Sequence, residues 1–597
     1  MKIIMKKLIN LSALICFVLF TTAACDVLDM SPTSEIPEED IWDDPGLMEA
    51  FISDMYYGMG HGLYEVQLSA ATDEAHFIHG YGIPDIVEST VTPSNRGSFG
   101  DRGDYNHWDW GDLYSRIRQT NVFLDNIGQS TIEDQALIDR MSGEVHFLRA
   151  YFYHNLLRIY GGVPVVAEAY DLEDDLLVPR NSFGETVDFI VAEADSAAAL
   201  LPLEYTGEDI GRATRGAALA LKSRVLLYAA SDLYHENPGG MPETGYTGGV
   251  DRQQMWQAAK DAAEAVMDLG IYSLFSADPA EGDSTAQNYY ELFITQNNEE
   301  VIMERFFIPS RDDGYNPGLQ NGPNGYHNWA GNTPIQQLVD DYQMADGSEF
   351  DWGNPAHAAA PYENRDPRFY GTILYDGAEW RERPPDVENI DPLGVIQTFS
   401  EVETPEGTYP GVDTRDSPIE DWNGGYSGYY LRKWIDESVP HSNNVKQSGS
   451  WFFFRYAEIL LNYAEASIEL GDEDDARREL NSIRRRAGMP EFGTEVTGQE
   501  LMDEYRNERR IEMAFEEQRY FDVRRWMIAP DVMDEDAAGI TITAEAADRS
   551  DRSTYTNYEY SVNESIQARS WNDKMYFQPI PLEEINRNDL LVQNPNY

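Results

Sequence analysis

Apolar residues recur with helical spacing in the N-terminal and C-terminal parts of this chain, but not in its middle. Large apolar residues recur every three or four positions over residues 113–127 and 138–160, and Ala-rich periodic stretches follow at 213–234 and 253–269. This spacing predicts amphipathic or buried helices. From about residue 289 to 450, Gly, Pro, Asn, Asp and aromatic residues crowd together, and few helices are expected. Long irregular segments in a compact protein usually carry function.

A helical hairpin follows the irregular segment. Residues 455–470 and 475–487 have helical spacing, and Gly471 begins the turn between them. The hairpin from Arg455 to Gly488 is 34 residues long, which is the length of a tetratricopeptide unit. No exact repeat recurs, so any further units would be degenerate. The sequence therefore predicts a mostly α protein with tetratricopeptide-like hairpins.

The N-terminus has the pattern of a secretory signal that ends at Cys25. Three lysines precede a short apolar run, and Ala23 and Ala24 come directly before the cysteine. This order is typical of a secretory signal, and the run is too short and broken to span a bilayer comfortably. Because the other cysteine, Cys16, lies inside the signal, the mature chain has no internal disulfide, and its stability has to come from packing.

Acidic residues greatly outnumber basic ones. The chain has 105 Asp and Glu against 44 Lys and Arg, a net charge of −61, and loss of the signal with its three lysines takes this to −64. Such a surface repels phosphates, so nucleic acid is not an expected partner. Residues 25–44 are rich in Pro and acid and have little to bury, which predicts a tether between Cys25 and the folded body.

Six segments, in order, resemble the SusD/RagB family of outer-membrane lipoproteins of Bacteroidetes. The small-small-Cys ending of the signal is similar to a bacterial lipobox, although Thr22 stands where that pattern prefers Leu. Each motif alone is weak, but together they cover nearly the whole mature chain. They are FLRAYFY (147–153) with YGGVP (160–164), TPI (333–335) with LVD (338–340) and MADG (344–347), LNYAEA (461–466), LNSIRRRAG (480–488), ERRIE (508–512) with RRW (524–526), and PIP (579–581) with QNP (593–595).

The resemblance implies a fold and a role. The fold is a mostly α, single compact body of tetratricopeptide-like hairpins with long loops, divided into a signal (1–24), a tether (25–44), an N-terminal region (45–330) and a C-terminal region (331–597). The role is a non-catalytic surface receptor, lipidated at Cys25 in the outer membrane. It would capture oligosaccharides, or in some members peptides, for a SusC-like TonB-dependent transporter. No cofactor or metal is implied.

Candidate binding residues are aromatic, because the C–H face of a pyranose stacks on indole and phenol rings. In the family these rings lie in variable loops, so we choose them by context. The leading cluster lies in a Gly/Asn-rich loop, with Asn324 and Asn328 as hydrogen-bonding candidates; its rings are Tyr315, Tyr326 and Trp329. Further candidates in other loops are Trp108, Trp380, and Trp422 with Tyr426. Trp110 begins a predicted helix at core spacing and is interpreted as structural.

Two charged patterns are interpreted as structural or incidental. The Arg-rich segment 505–526 is predicted to form one helix. Its acids and arginines alternate at three- and four-residue spacing, which is typical of ion pairs that tie helices together. His76 and His79 lie near acids, but a loop pair of this kind is more often incidental than a metal site.

Three functions stay open at this point. The first is the non-catalytic glycan receptor, with a peptide receptor of the same transporter type as its variant. The second is a helical adaptor that binds only proteins, and the third is an acidic glycosidase. With 105 acids, carboxylate pairs arise by chance, and no phosphate-cradling loop or nucleophile elbow is present. The sequence favours a non-enzymatic receptor, and the net charge favours a neutral glycan.

Overall fold

Long helices supply the scaffold of the protein. A computed structural model describes residues 41–100, 106–171, 173–174, 176–309, 316–391, 393–440 and 445–597. The predicted mostly α fold is confirmed. The helices are α1 (Pro45–Tyr57), α2 (Trp110–Ile127), α3 (Gln135–Tyr160), α4 (Phe183–Leu200), α5 (Arg215–Ala230), α6 (Arg252–Met267), α7 (Tyr456–Leu470), α8 (Glu473–Arg486), α9 (Gly498–Glu512) and α10 (Arg519–Arg525).

Short elements fill the connections between these helices. Single-turn α-helices lie at Ile83–Val87, Asp232–Glu236, Gln287–Leu292, Pro317–Asn321, Gln336–Asp341, Pro355–Ala359, Pro367–Thr372, Pro385–Glu388, Ala529–Val532 and Leu582–Arg587. The strands are β1 (Ala75–Phe77), β2 (Val301–Phe307), β3 (Asn332–Pro334), β4 (Ile373–Leu374), β5 (Glu401–Thr404), β6 (Gly407–Tyr409), β7 (Tyr430–Leu431), β8 (Gly449–Arg455), β9 (Ala537–Ala546) and β10 (Tyr555–Gln567).

The long helices pack as a continuous stack in chain order. Helix α2 contacts α3, α3 contacts α4, and the series continues through α5, α6, α7 and α8. Between α6 and α7 the chain leaves the stack for about 190 residues and returns to the same place. This inserted segment includes the irregular region of the sequence. It contains the short pair β4–β7, and its strand β3 pairs with β1 from the N-terminal part of the chain. The tetratricopeptide-like detail of the hairpins stays a prediction.

Helix ends follow local chemistry. Asp109 accepts hydrogen bonds from the N–H groups of Gly111 and Asp112, and the N-terminal turn of α4 has a capping box made by Ser182 and Glu185. Gly471 ends α7 with a φ of 84°, a conformation that glycine adopts without strain. The predicted helices therefore end within a few residues of the expected positions.

The described end of the predicted tether belongs to the body. Trp42 is buried, with its ring edge-on to Phe51 and Phe123 at 5.8 and 5.9 Å, and Asp43 accepts from the N–H of Thr131. Cys25 lies outside the described residues. Among the residues that are described, no helix combines the length and the apolar character that crossing a bilayer requires.

The Arg-rich segment 505–526 is two helices rather than the single helix that its spacing predicts. The chain turns between α9 and α10, where Phe515 and Glu517 have φ values of 60° and 62°. These left-handed conformations interrupt the helical hydrogen-bond ladder. The charged side chains are nevertheless structural, as predicted, because they form buried ion pairs with other elements.

Glu512 is the centre of one such buried network. Its carboxylate accepts from Arg455 at 2.7 Å, from Arg368 at 3.1 Å and from Arg486. Burial alone would raise the pKa of Glu512, but the three arginines outweigh it and hold the pKa well below its usual range. A second network joins Arg525 to Glu465 at 2.6 Å. The first network ties α9 to the end of β8, and the second ties α10 to α7.

Candidate functional site

Residues of the inserted segment line a cleft with a volume of about 830 Å³. Its walls come from four stretches that are separate in sequence: the loop before β3, the segment around residue 381, Glu420 and the segment around residue 438. The residues that line it are Leu319, Tyr326, His327, Trp329, Arg381, Glu382, Arg383, Pro384, Pro385, Glu420, Glu437, Ser438 and Pro440.

Trp329 is the candidate aromatic residue that presents its side chain to this cleft. Its backbone is held on both sides, since its N–H donates to the carbonyl of Leu319 at 2.7 Å and His79 Nε2 lies 3.0 Å from its carbonyl oxygen. The side chain is only partly buried and lines the cleft. A fixed backbone with a partly exposed indole is the arrangement that ring stacking requires.

Tyr326 is part of the cleft wall, but its position does not suit stacking on a sugar. The residue is buried, its ring meets Trp380 edge-on at 4.7 Å, and its hydroxyl donates to the carbonyl of Arg381 at 3.0 Å. The guanidinium of Arg383 lies over the ring, 4.1 Å from its centre. Since Arg383 covers that face, the predicted stacking role of Tyr326 is replaced by a packing role.

Arg383 is itself neutralised within the wall. It makes a bidentate pair with Asp413, at 2.7 and 2.6 Å, and a further contact with Asp391. All three side chains are buried. Bidentate arginine–carboxylate pairs combine strong hydrogen bonds with fixed geometry. This cluster therefore holds the segment around residue 383 against the loop at 413.

His327 connects two further loops across the mouth of the cleft. Its Nδ1 lies 2.9 Å from Glu420 and its Nε2 lies 2.9 Å from Asp386. Both carboxylates therefore face the same imidazole ring. This contact brings the loop that carries Trp422 next to the cleft.

Trp422 and Tyr426 are exposed aromatic residues on the segment that follows Glu420. Trp422 is 64% exposed and Tyr426 is 44% exposed. Arg415 lies over the Tyr426 ring at 4.2 Å and donates to the carbonyl of Gly424 at 2.9 Å. Neither residue lines the cleft. Because Arg415 covers one face of Tyr426, Trp422 offers the larger free aromatic surface beyond Trp329.

Other predicted residues fall elsewhere. Trp108 is fully buried among Phe99, His107 and Phe521, so its ring is inaccessible and the prediction that it binds ligand is wrong. Trp110 is buried, as its interpretation as structural requires. Tyr315 lies outside the described residues.

The polar candidates near Trp329 are also structural. Asn324 and Asn328 are completely buried. The side-chain amide of Asn324 donates to the carbonyls of Thr414 and Ile419, at 2.9 and 2.8 Å, and so ties two loops together. His76 is buried with its ring near Tyr426, and His79 contacts the Trp329 carbonyl.

The charged residues of the cleft were missed by reasoning from the sequence. The candidates were all aromatic or amide side chains, and they did not include Arg381, Arg383 or His327, although Arg381 directly follows Trp380 and Arg383 is three residues from it. The run Trp380-Arg381-Glu382-Arg383-Pro384-Pro385 in an irregular segment was an available signal, because it places two cations beside a candidate ring. The cleft thus combines one exposed indole with cationic and anionic hydrogen-bonding groups, which suits the binding of a polar molecule with an apolar face.

Comparison with known proteins agrees with this architecture. A family model described as "SusD family" matches residues 277–597, and one described as "Starch-binding associating with outer membrane" matches residues 26–227. The chain is similar to a crystal structure of a SusD-like protein from Bacteroides fragilis, with 30% identity over 95% of this chain and 100% of that chain and a TM-score of 0.73.

Two more distant relatives carry names that state a ligand. The starch-binding protein SusD of Bacteroides thetaiotaomicron is 24% identical over 71% of this chain and 70% of its own length. A structure named as a laminarin-binding SusD-like protein shares the fold, with 19% identity, a TM-score of 0.59, and coverage of 93% of this chain and 99% of that chain. With a family model that covers more than half of its residues and a matching fold, this chain belongs to the SusD family.

Proposed function

We propose that this protein is a non-catalytic receptor that captures an oligosaccharide in the cleft at Trp329. The observation that carries the proposal is the partly exposed indole of Trp329 in the wall of an 830 Å³ cleft, held by hydrogen bonds on both sides of its backbone. That volume lies in the range of sites for ligands of a few hundred daltons. Relatives whose names state starch or laminarin binding support a glycan as the ligand.

The chemistry of the cleft agrees with a sugar ligand. The apolar face of a pyranose packs on an indole, and its hydroxyls exchange hydrogen bonds with charged and amide groups. The exposed rings of Trp422 and Tyr426 next to Glu420 would extend contact to further sugar units. Because His327 contacts both Glu420 and Asp386, the carboxylates at the mouth are engaged in holding loops together. This supports a binding role rather than a catalytic one.

A glycan array tests the proposal. We expect the purified chain to bind at least one class of glycan, and we expect no reducing ends to be released when it is incubated with the glycan that it binds. Release of reducing ends would show a glycosidase. Binding of no glycan, together with capture of a protein partner, would favour the helical adaptor.

We further propose that the receptor is anchored in the outer membrane through lipid on Cys25 and passes its ligand to a SusC-like TonB-dependent transporter. The description of the family model that matches residues 26–227 supports association with the outer membrane. Residues 26–40 would then separate the lipid from the body, which begins by Trp42. An outward-facing receptor of this kind would act as a lid on the transporter.

Replacing Cys25 with Ala tests the anchor directly. We expect cells that express the unaltered chain to incorporate radioactive palmitate into it and to retain it in the membrane fraction. Cys25→Ala should lose the label and leave the membrane, because the thiol is the acceptor of the lipid. Cys16→Ala, which changes the other cysteine within the signal, should be labelled normally. A labelled Cys25→Ala chain would contradict the anchor.

A further inference from the structure

Arg381 differs from the other cations of the cleft. Arg383 pairs with Asp391 and Asp413, and His327 lies between Glu420 and Asp386. Glu437, which also lines the cleft, pairs with Arg432. Within the described residues, Arg381 lines the same cleft and forms no ion pair with a carboxylate.

The contacts of Arg381 hold its guanidinium in place without neutralising it. Its Nη1 donates to the carbonyl of Val439 at 3.0 Å, and the group lies 5.4 and 5.5 Å from the ring centres of Trp380 and Tyr326. In the described part of the chain, its Nε has no hydrogen-bond partner although it is buried. Burial lowers the pKa of this group to about 10, so it keeps its positive charge at neutral pH. Among the described residues its Nη2 makes no hydrogen bond either, and unlike Nε it is not buried, so Nη2 is the donor that a ligand in the cleft can reach.

We propose that the cleft takes an acidic glycan, and that Arg381 binds its anionic group, a carboxylate or a sulfate ester. This inference rests on the proposed function, because it assigns a substrate class to the same cleft. Trp329 would stack on the sugar ring while Nη2 of Arg381 donates to an oxygen of the acid group. This proposal replaces the expectation, based on net charge, that the ligand is a neutral glycan.

Local charge outweighs net charge at contact distance. The charge of −61 is spread over the whole chain, and the Debye length at physiological ionic strength is about 8 Å. A ligand group hydrogen-bonded to Arg381 lies within 3–4 Å of a full positive charge, roughly half of that length. The neighbouring Glu382 is exposed, where water and salt screen its repulsion. Arginine is also well suited to planar carboxylates and to tetrahedral oxyanions such as a sulfate ester, because its donors are fixed in one plane.

Matched ligand pairs test the inference by calorimetry. The pairs are oligogalacturonate with its methyl ester, and a sulfated galactan oligosaccharide with its desulfated form. We expect the charged member of one pair to bind at least about 10-fold more tightly than its uncharged partner, as for a hydrogen bond to a charged group. The pair that shows the difference identifies the anion as carboxylate or sulfate. Raising NaCl from 50 to 500 mM should reduce that difference in the unaltered protein.

Variants assign the effect to one side chain. Arg381→Met should remove the preference for the charged ligand, and Arg381→Lys should restore part of it. Arg118→Met is the matched control, since Arg118 also donates to a backbone carbonyl, that of Tyr170 at 2.6 Å, but in a separate cavity. Equal loss of charged and uncharged ligands in Arg381→Met would overturn the inference. If only neutral glycans bind, the inference fails and the proposed function stands; if no glycan binds, both fail.

Discussion

Glu512→Gln is expected to lower the free energy of unfolding by about 3–5 kcal/mol, which is typical when one partner of a buried ion-pair network is removed. The carboxylate of Glu512 accepts from Arg368, Arg455 and Arg486, all of which are buried. An amide cannot accept at its nitrogen, and it carries no charge to balance the arginines. The loss should appear as a lower midpoint of urea unfolding with an unchanged slope.

A surface pair provides the control for this measurement. Glu491 pairs with Arg485 at 2.6 Å, but both side chains are about half exposed. Glu491→Gln should therefore change the free energy of unfolding by less than about 0.5 kcal/mol. Equal midpoints for the Glu512→Gln and Glu491→Gln variants would show that the buried network does not hold the C-terminal helices in place.

Trp329→Ala is expected to weaken glycan binding about 30-fold, equivalent to about 2 kcal/mol, because it removes the partly exposed indole that lines the cleft. The fold should persist, since the two hydrogen bonds that hold this residue are made by its backbone. Calorimetry with the best glycan from the array, together with the midpoint of urea unfolding, gives the two readouts.

Trp571→Ala is the matched control. Trp571 is also partly buried, but it packs on Tyr576 near the C-terminus and is not among the residues that line the cleft. This change should leave glycan affinity within about twofold of the unaltered protein. Unchanged affinity in Trp329→Ala would remove this cleft from the binding site and direct attention to Trp422 and Tyr426.

The scaffold could be predicted because helices leave a local periodic signal. The spacing of Leu113 and Ile117, or the turn glycine Gly471, reports a helix and its end within a few residues. The break at Phe515 and Glu517 could not be found in this way. Neither residue type favours a left-handed conformation, so tertiary contacts rather than local preference determine that turn.

The candidate site was only partly predictable because its members meet through long-range contacts. The loop around Trp329 predicts that this residue binds ligand, and in the structure Trp329 lines the cleft. Trp108 had a similar local context, but packing against Phe521, more than 400 residues later, buries it. Among the described residues, Arg383 has carboxylate partners and Arg381 has none. No local sequence pattern indicates this difference, because those contacts depend on how the loops fold.

The interrupted helix stack has a consequence for folding. Helix α6 packs on α7, and Lys260 in α6 lies 5.1 Å from the ring centre of Tyr463 in α7, yet about 190 residues separate the two helices. Closing a loop of that length costs on the order of 5 kcal/mol of chain entropy before the contact can contribute. High contact order slows folding. The apolar face of α6 should therefore stay exposed to solvent until late in folding. We expect aggregation to compete most strongly with folding in the intermediate in which α7 has not yet packed on α6.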